Sequence, residues 1–302
     1  MKDTHVSTRI VSIGEINSAS GQESLGDQFH VTRTNEIIGQ PSYERPVRGD
    51  HFTFLLVLAG TTSLKYNLLD YKLEPNDLFI IAPGIIHEYH PGIDGLIIGT
   101  GFTKTFYAES LIHKKDINVF EYLSSNTDPH FRLSTKEAGV LHDLMLMLKT
   151  NHANQEHAFQ FDLMFHSFNL FMLELAAIIK RHRPNNGATS TRRMDLLNSF
   201  LKLLAVHFKV ERSVQFYAEK IFISPKHLTK VVKEETGKSV GQLVNEMVIA
   251  EAKILLDTSS LTVGNVATEL NFSNQFFFSK FFKKHSGLTP SQFRTNTSKT
   301  VR

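Results

Sequence analysis

No cysteine occurs among the 302 residues, so a disulfide framework and a thiolate metal site are both excluded. Nor does any run approach 18 uninterrupted apolar residues, the length a membrane-spanning helix needs. The opening Met1-Lys-Asp-Thr-His5 starts no secretory signal. These absences lead us to expect a soluble, cytoplasmic protein with no membrane partner.

What is present is enough apolar material, 41% of residues, for packed cores, in a length that suits two domains. The net charge of +3 hides an asymmetry. Residues 192–302 carry 17 Lys and Arg against 9 Asp and Glu, whereas the preceding 191 residues carry 16 against 21. A polyanionic partner is therefore expected for the C-terminal part alone.

Residues 1 to about 50 read as irregular. Short strand-like runs follow at 51–60, 62–69, 71–73, 78–81 and 95–102, separated by Gly60, Glu74-Pro-Asn-Asp77 and Ala82-Pro83-Gly84. This spacing predicts a small all-β sandwich or barrel. The period then changes to that of helices, over 135–149 and 156–182. The second is nearly apolar all round in its middle, which requires burial against another helix, the β domain or a second copy of the chain. Residues 183–191, rich in Pro, Gly and small polar residues, read as a linker. A helix over 192–208 opens the C-terminal part.

That part contains one unit twice. Ala218, Ile221 and Ser224 match Ala267, Leu270 and Ser273 at one offset; Leu228, Lys230, Lys233 and Gly237 match Phe278, Lys280, Lys283 and Gly287 at an offset one larger. Each copy reads as a helix with a small Ala, a short turn, and an N-capped helix that stops at Gly, which is helix-turn-helix grammar. Between the copies Ser239-Val-Gly-Gln242 reads as a capping box opening a helix through Leu256, and Thr289-Pro290-Ser-Gln292 opens a short closing helix through Arg294. An 18-residue connector spans about 27 Å, close enough to the roughly 34 Å between successive major-groove faces for one chain to address both.

In the first unit Leu228, Val231 and Val232 are expected in the core. Lys226, Thr229 and Lys230 would then face base edges, with Lys233 near the phosphate backbone. In the second, Phe278, Phe281 and Phe282 are the core candidates, and Asn274, Gln275, Phe276, Ser279, Lys280 and Lys283 the DNA-facing set. Gln or Asn suits adenine, Lys suits guanine, and Phe can meet a thymine methyl.

Over about residues 192–294 the sequence resembles the AraC/XylS family of bacterial transcriptional regulators. The resemblance rests above all on Val266-Ala267, Asn271-Phe272-Ser273, Phe278-Ser279-Lys280, Phe282-Lys283-Lys284 and Gly287-Leu-Thr-Pro290-Ser-Gln-Phe-Arg294. Asn271 stands where that family commonly has Gly, and Asn tolerates a left-handed turn. His227 and Lys230 replace residues that are often aromatic and Arg, so the target sequence stays open.

The resemblance implies an α+β multidomain chain. A cupin-like N-terminal β-barrel with two following helices would occupy residues 1–182, its β part about 20–105 and its helices about 134–182. After the linker, an all-α domain with two helix-turn-helix units joined by a long helix would occupy 192–302. The implied function is sequence-specific transcriptional regulation, as an activator answering a small-molecule effector. The implied partners are double-stranded promoter DNA, the effector, RNA polymerase and a second copy in a homodimer. Phe52, Phe54, Tyr66, Phe79, His87 and Tyr89 are the residues expected to line an effector pocket. Two other readings stand beside it, a regulator without an effector and a metal-binding or catalytic cupin with a DNA-binding tail. For the latter, His51, His87 and His90 beside Glu88 are the ligand candidates. A cupin metal site usually pairs two histidines one residue apart, but His51 is followed by Phe52 and Thr53, and His87 and His90 are read in a turn-like context. No catalytic residue, metal ligand or cofactor is assigned.

Overall fold

A computed structural model describes residues 11–21, 26–33, 45–90, 92, 94–110, 128–182, 192–257 and 261–300. The expected linker, 183–191, lies outside the described residues. In the N-terminal half, helix α1 (Ile13–Ala19) precedes strands β1 (Phe29–Arg33), β2 (Val47–Arg48), β3 (Phe52–Ala59), β4 (Thr62–Tyr66), β5 (Leu69–Leu73), β6 (Asp77–Ile81), β7 (Ile86–His90) and β8 (Leu96–Phe102). Helix α2 (Lys104–Ser110), strand β9 (His130–Arg132) and helices α3 (Thr135–Ala153) and α4 (Gln160–His182) follow. The strands form two antiparallel sheets, ordered β1-β8-β3-β6-β9 and β2-β7-β4-β5.

Strand alternation sorts the five-stranded sheet into two faces. Phe29 and Val31 of β1, Phe52, Phe54 and Leu56 of β3, Leu78 and Ile80 of β6, and Ile98 and Phe102 of β8 pack against α3 and α4. Their alternates Val57, Phe79, Ile81 and Ile97 meet Leu64 and Leu73 of the other sheet in a second core between the sheets. The nearly apolar α4 is long and apolar enough to cross a membrane by length and composition. Its Phe168, Phe171, Leu175 and Ile178 are instead buried in the core beneath the sheet.

Several expectations need correction. The first 50 residues are not irregular throughout. α1 is set by the reciprocal Ser12–Glu15 capping box, and β1 alternates large apolar residues with His30 and Thr32. The β part extends beyond residue 105, because β9 pairs with β6 and lets Arg132 and His130 reach the fully buried Asp77 carboxylate at 2.5 and 3.1 Å. A buried carboxylate needs such partners. The helix expected from 156 begins at Gln160, since turn bonds from the amides of His157 and Gln160 to the carbonyls of Asn154 and His157 close the chain first. His87 and His90 lie on strand β7, not in a turn.

The C-terminal domain consists of α5 (Arg192–His207), α6 (Val214–Lys220), α7 (Pro225–Thr236), α8 (Val240–Asp257), α9 (Val263–Glu269), α10 (Gln275–Ser286) and α11 (Pro290–Thr300). The closing helix runs to Thr300 rather than Arg294; its start is fixed by the Thr289–Gln292 box. α8 is the spine of this domain, with twelve of its eighteen residues buried. Leu68 and Ile86 of the barrel join the same apolar core, so the two halves share an interface.

Candidate nucleic-acid interface and barrel cavity

Each recognition helix is built by local rules. Ser224 caps α7 by accepting from the His227 amide at 3.2 Å, Pro225 occupies the first turn, and Gly237 ends the helix at φ 70°. Asn274 caps α10 by accepting from the Phe277 amide at 3.0 Å, and Gly287 ends it at φ 80°. The inserted residue of the second copy therefore falls at Ser273–Asn274, where the capping role passes from the Ser224 match to its neighbour. The turns use left-handed Phe222 (φ 60°) and Asn271 (φ 55°) at matching positions. Asn accepts this region readily, while Phe222 does so at a cost of roughly 1–2 kcal/mol and with 94% of its surface exposed.

On α7, Leu228, Val231 and Val232 are buried, and Lys226, Thr229, Lys230 and Lys233 are exposed. Lys230 lies 3.9 Å from Glu234, which also meets Arg193 at 3.1 Å. On α10, Phe278 and Phe282 are buried; Gln275, Phe276, Lys280 and Lys283 are exposed and Ser279 is half-buried. The carbonyl oxygen of Asn274 accepts one bond in capping the helix, and the side chain is exposed. One expectation changes here. Phe281 is half-buried rather than core, lying between Phe272 and His285 at ring distances of 5.2 and 4.6 Å.

Arg212 was not singled out in the sequence, yet it fixes the two units to each other. Its guanidinium donates to the Leu270 carbonyl at 2.6 Å and stacks over Phe272 at 4.2 Å. Arg294 does the same for the far end, donating to the carbonyls of Leu256 and Leu261 at 3.2 and 2.6 Å. The signal for Arg212 was only a lone Arg before a capped helix.

The barrel is fastened to α8 by charge. Glu251, with a fully buried side chain, meets Arg48 of β2 and Lys209 beyond α5, each at 2.9 Å. Around it Lys65 and Lys238 approach Glu246 at 3.7 and 2.8 Å, and Arg45 approaches Asp257 at 3.6 Å. Three acidic residues along the connecting helix thus face three cations of the barrel.

Arg48 stands between Val47 and Gly49, which line a cavity of about 120 Å³ inside the barrel. Among the described residues its wall is aliphatic apart from Thr32, Thr53, Tyr89 and three histidines, His30, His51 and His87, and none of these wall residues is a Lys, Arg, Asp or Glu. His30, only 3% exposed, has neither ring nitrogen hydrogen-bonded among the described residues. Burial pushes its pKa well below the ordinary 6.5, with nearby His51 and His152 adding to the effect. Burial likewise lowers His51, partly offset by Asp50, and lowers His87 to about 4. The three rings are therefore neutral at pH 7.

Of the residues expected to line a pocket, His87 and Tyr89 line this cavity. Phe52 and Tyr66 border a larger open cleft of about 880 Å³ between barrel and C-terminal domain. Phe54 and Phe79 line neither: Phe54 stacks on Phe102 and meets Phe171 edge-on, and Phe79 packs against Tyr66 and Tyr71. Strand parity explains Phe54, which lies on the face turned to α4, whereas Phe79 lies between the sheets and is covered by the two tyrosines. The cavity residues His30 and Thr32 come from a strand that sequence reading left irregular. Among the described residues, no group of three or more His, Asp or Glu side chains could hold a metal ion.

Comparison with known proteins agrees with this layout. Residues 39–100 match the AraC-like ligand binding domain family and residues 217–296 a helix-turn-helix domain family. The chain is 24% identical over 277 residues to the HTH-type transcriptional activator RhaR of Cronobacter sakazakii, covering 88% of this chain and 93% of that one. A RhaR of Escherichia coli is 22% identical over 275 residues, covering 89% and 95%. Among solved structures, fatty-acid-bound ToxT of Vibrio cholerae aligns with 88% of this chain and 95% of its own, at 14% identity and a TM-score of 0.40. The chain thus carries an AraC-like ligand-binding domain ahead of an AraC-type helix-turn-helix domain and is homologous to transcriptional activators of the AraC family.

Proposed function

We propose that this protein is a cytoplasmic, sequence-specific activator that binds promoter DNA through α7 and α10 and answers a small molecule held in its barrel. The observation that carries the reading is the pair of capped helices on one spine. Each buries an apolar face and offers Lys, Thr, Gln or Ser outward, as insertion into a major groove requires. Lys226, Thr229 and Lys230 on α7, and Gln275, Phe276, Ser279 and Lys280 with the Asn274 amide on α10, are the base-reading set; Lys233 and Lys283 serve the phosphates. As an activator it would meet RNA polymerase at the promoter.

The test is binding of the full chain to a random-sequence duplex library, followed by fluorescence anisotropy at several salt concentrations. Selected duplexes should bind with an affinity that falls steeply with salt, because phosphate contacts release counterions. Salt-independent or absent binding overturns the reading. Lys226→Ala should relax preference at one base pair, by about 1–3 kcal/mol; a uniform loss across sequences reassigns Lys226 to phosphate.

A second copy is the partner that fits α4. Leu163, Leu170 and Leu173 recur at heptad spacing on its outer side and are 37–46% exposed, with Phe159 and Phe161 beside them. Leu170→Glu with Leu173→Glu should convert a dimer to a monomer in sedimentation experiments, with circular dichroism unchanged.

A further inference from the structure

The tautomers of the cavity histidines restrict what the cavity can hold. His87 Nδ1 lies 3.1 Å from the Ile85 carbonyl oxygen, which can only accept, so Nδ1 carries the proton. His51 Nδ1 lies 2.9 Å from an Asp50 carboxylate oxygen, again an acceptor. Both rings are neutral, so both Nε2 atoms are lone pairs. His30 adds a buried ring with one donor and one acceptor nitrogen, neither of them satisfied among the described residues. Leaving such a ring without partners in an apolar wall costs free energy, and an occupant that bonds to it removes that cost.

We propose that the cavity binds a small uncharged molecule that is apolar over most of its surface and donates a hydrogen bond from a hydroxyl group to the imidazole of His51 or His87. This rests on reading the barrel as the effector domain and names the class of molecule it takes. A carboxylate or phosphate is disfavoured by the same geometry. An anion brings acceptors to the lone pairs of His51 and His87, and among the described residues no Lys or Arg lines the wall to neutralise it. A molecule that only accepts forfeits that bond, and a site built around a hydroxyl discriminates strongly against an analogue lacking it. Val47, Leu64, Ile81 and Ile97 supply the apolar contact, and the volume of about 120 Å³ suits a single six-membered ring.

The experiment uses the full chain at pH 7.5 and four probes of similar size: phenol, cyclohexanol, anisole and benzoate. Calorimetry should show phenol or cyclohexanol bound at least tenfold more tightly than anisole, with benzoate not bound. At least one of His87→Leu and His51→Leu should remove the preference for phenol over anisole. Since either variant could disturb folding, nitrogen-15 spectra of the unaltered protein provide an independent reading: the Nε2 resonance of at least one of His51 and His87 should move on adding phenol, and both should stay on adding anisole. Equal binding of anisole, tighter binding of benzoate, or no binding of any probe overturns the proposal. DNA binding is measured on the same samples. If it persists while the probes fail, the ligand class is wrong and the regulator reading stands; if it is absent, the regulator reading fails on its own.

Discussion

Replacing Arg48 and Lys209 together with alanine is expected to destabilise the chain by about 3–5 kcal/mol, well beyond the sum of the single replacements. Glu251 has no exposed side-chain surface and meets one cation at each carboxylate oxygen, 2.9 Å away. Either cation alone still compensates the charge, so each single variant loses one ion pair. Removing both leaves an ionised carboxylate unpaired in an apolar core, the situation in which breaking a buried pair is most costly. Urea unfolding of the four proteins of the cycle measures the coupling, which should exceed about 1 kcal/mol. Additive losses of a few tenths would mean that water reaches Glu251. β2 is only two residues long, Val47 and Gly49 on either side of Arg48 line the cavity, and Arg48 itself reaches the helix joining the two helix-turn-helix units. The same short strand touches cavity and spine.

Acidification from pH 7 to 4 is expected to weaken the barrel before the helical domain. His30, His51, His87 and His152 all have pKa values lowered by burial, His87 and His152 to about 4. An imidazole whose folded pKa lies below its ordinary 6.5 takes up its proton more readily in the unfolded chain. Stability is therefore intact above 6.5 and lost as the pH falls from there towards 4. For His152, buried against the Phe29 ring edge at 5.1 Å, the complete loss amounts to about 3 kcal/mol as an upper bound. The four rings lie in the barrel and the helix packed on it, so the loss is local. Urea midpoints recorded at half-unit pH steps should decline through this window, and His152→Leu should flatten the decline. A midpoint constant down to pH 4 would show that these rings titrate normally.

The helical half was legible because its rules are local. Ser224, Pro225 and Gly237, the Ser239–Gln242 and Thr289–Gln292 boxes, and the buried trio Leu228, Val231 and Val232 all act within a few residues, and their spacing shows in the chain. The strands at 52–59, 77–81 and 96–102 were equally plain, being long apolar runs. β1, β7 and β9 were not. Each is short and mixed, held by partners far away in sequence, as when Phe29 pairs with Phe102 or Leu78 with Phe131.

The site divides in the same way. By itself the sequence determined the duplicated helix-turn-helix unit, its core residues other than Phe281, and its outward cations, since helical periodicity assigns a face without reference to the rest of the molecule. Tertiary structure alone decided which barrel residues form the cavity, because strand parity is fixed only once the register is known and a shift of one residue exchanges the two faces. It turned Phe54 and Phe79 into core and brought His30, His51 and His87 together from three strand regions. It also set Arg48 against Glu251, 203 positions along the chain, a contact that no local pattern encodes.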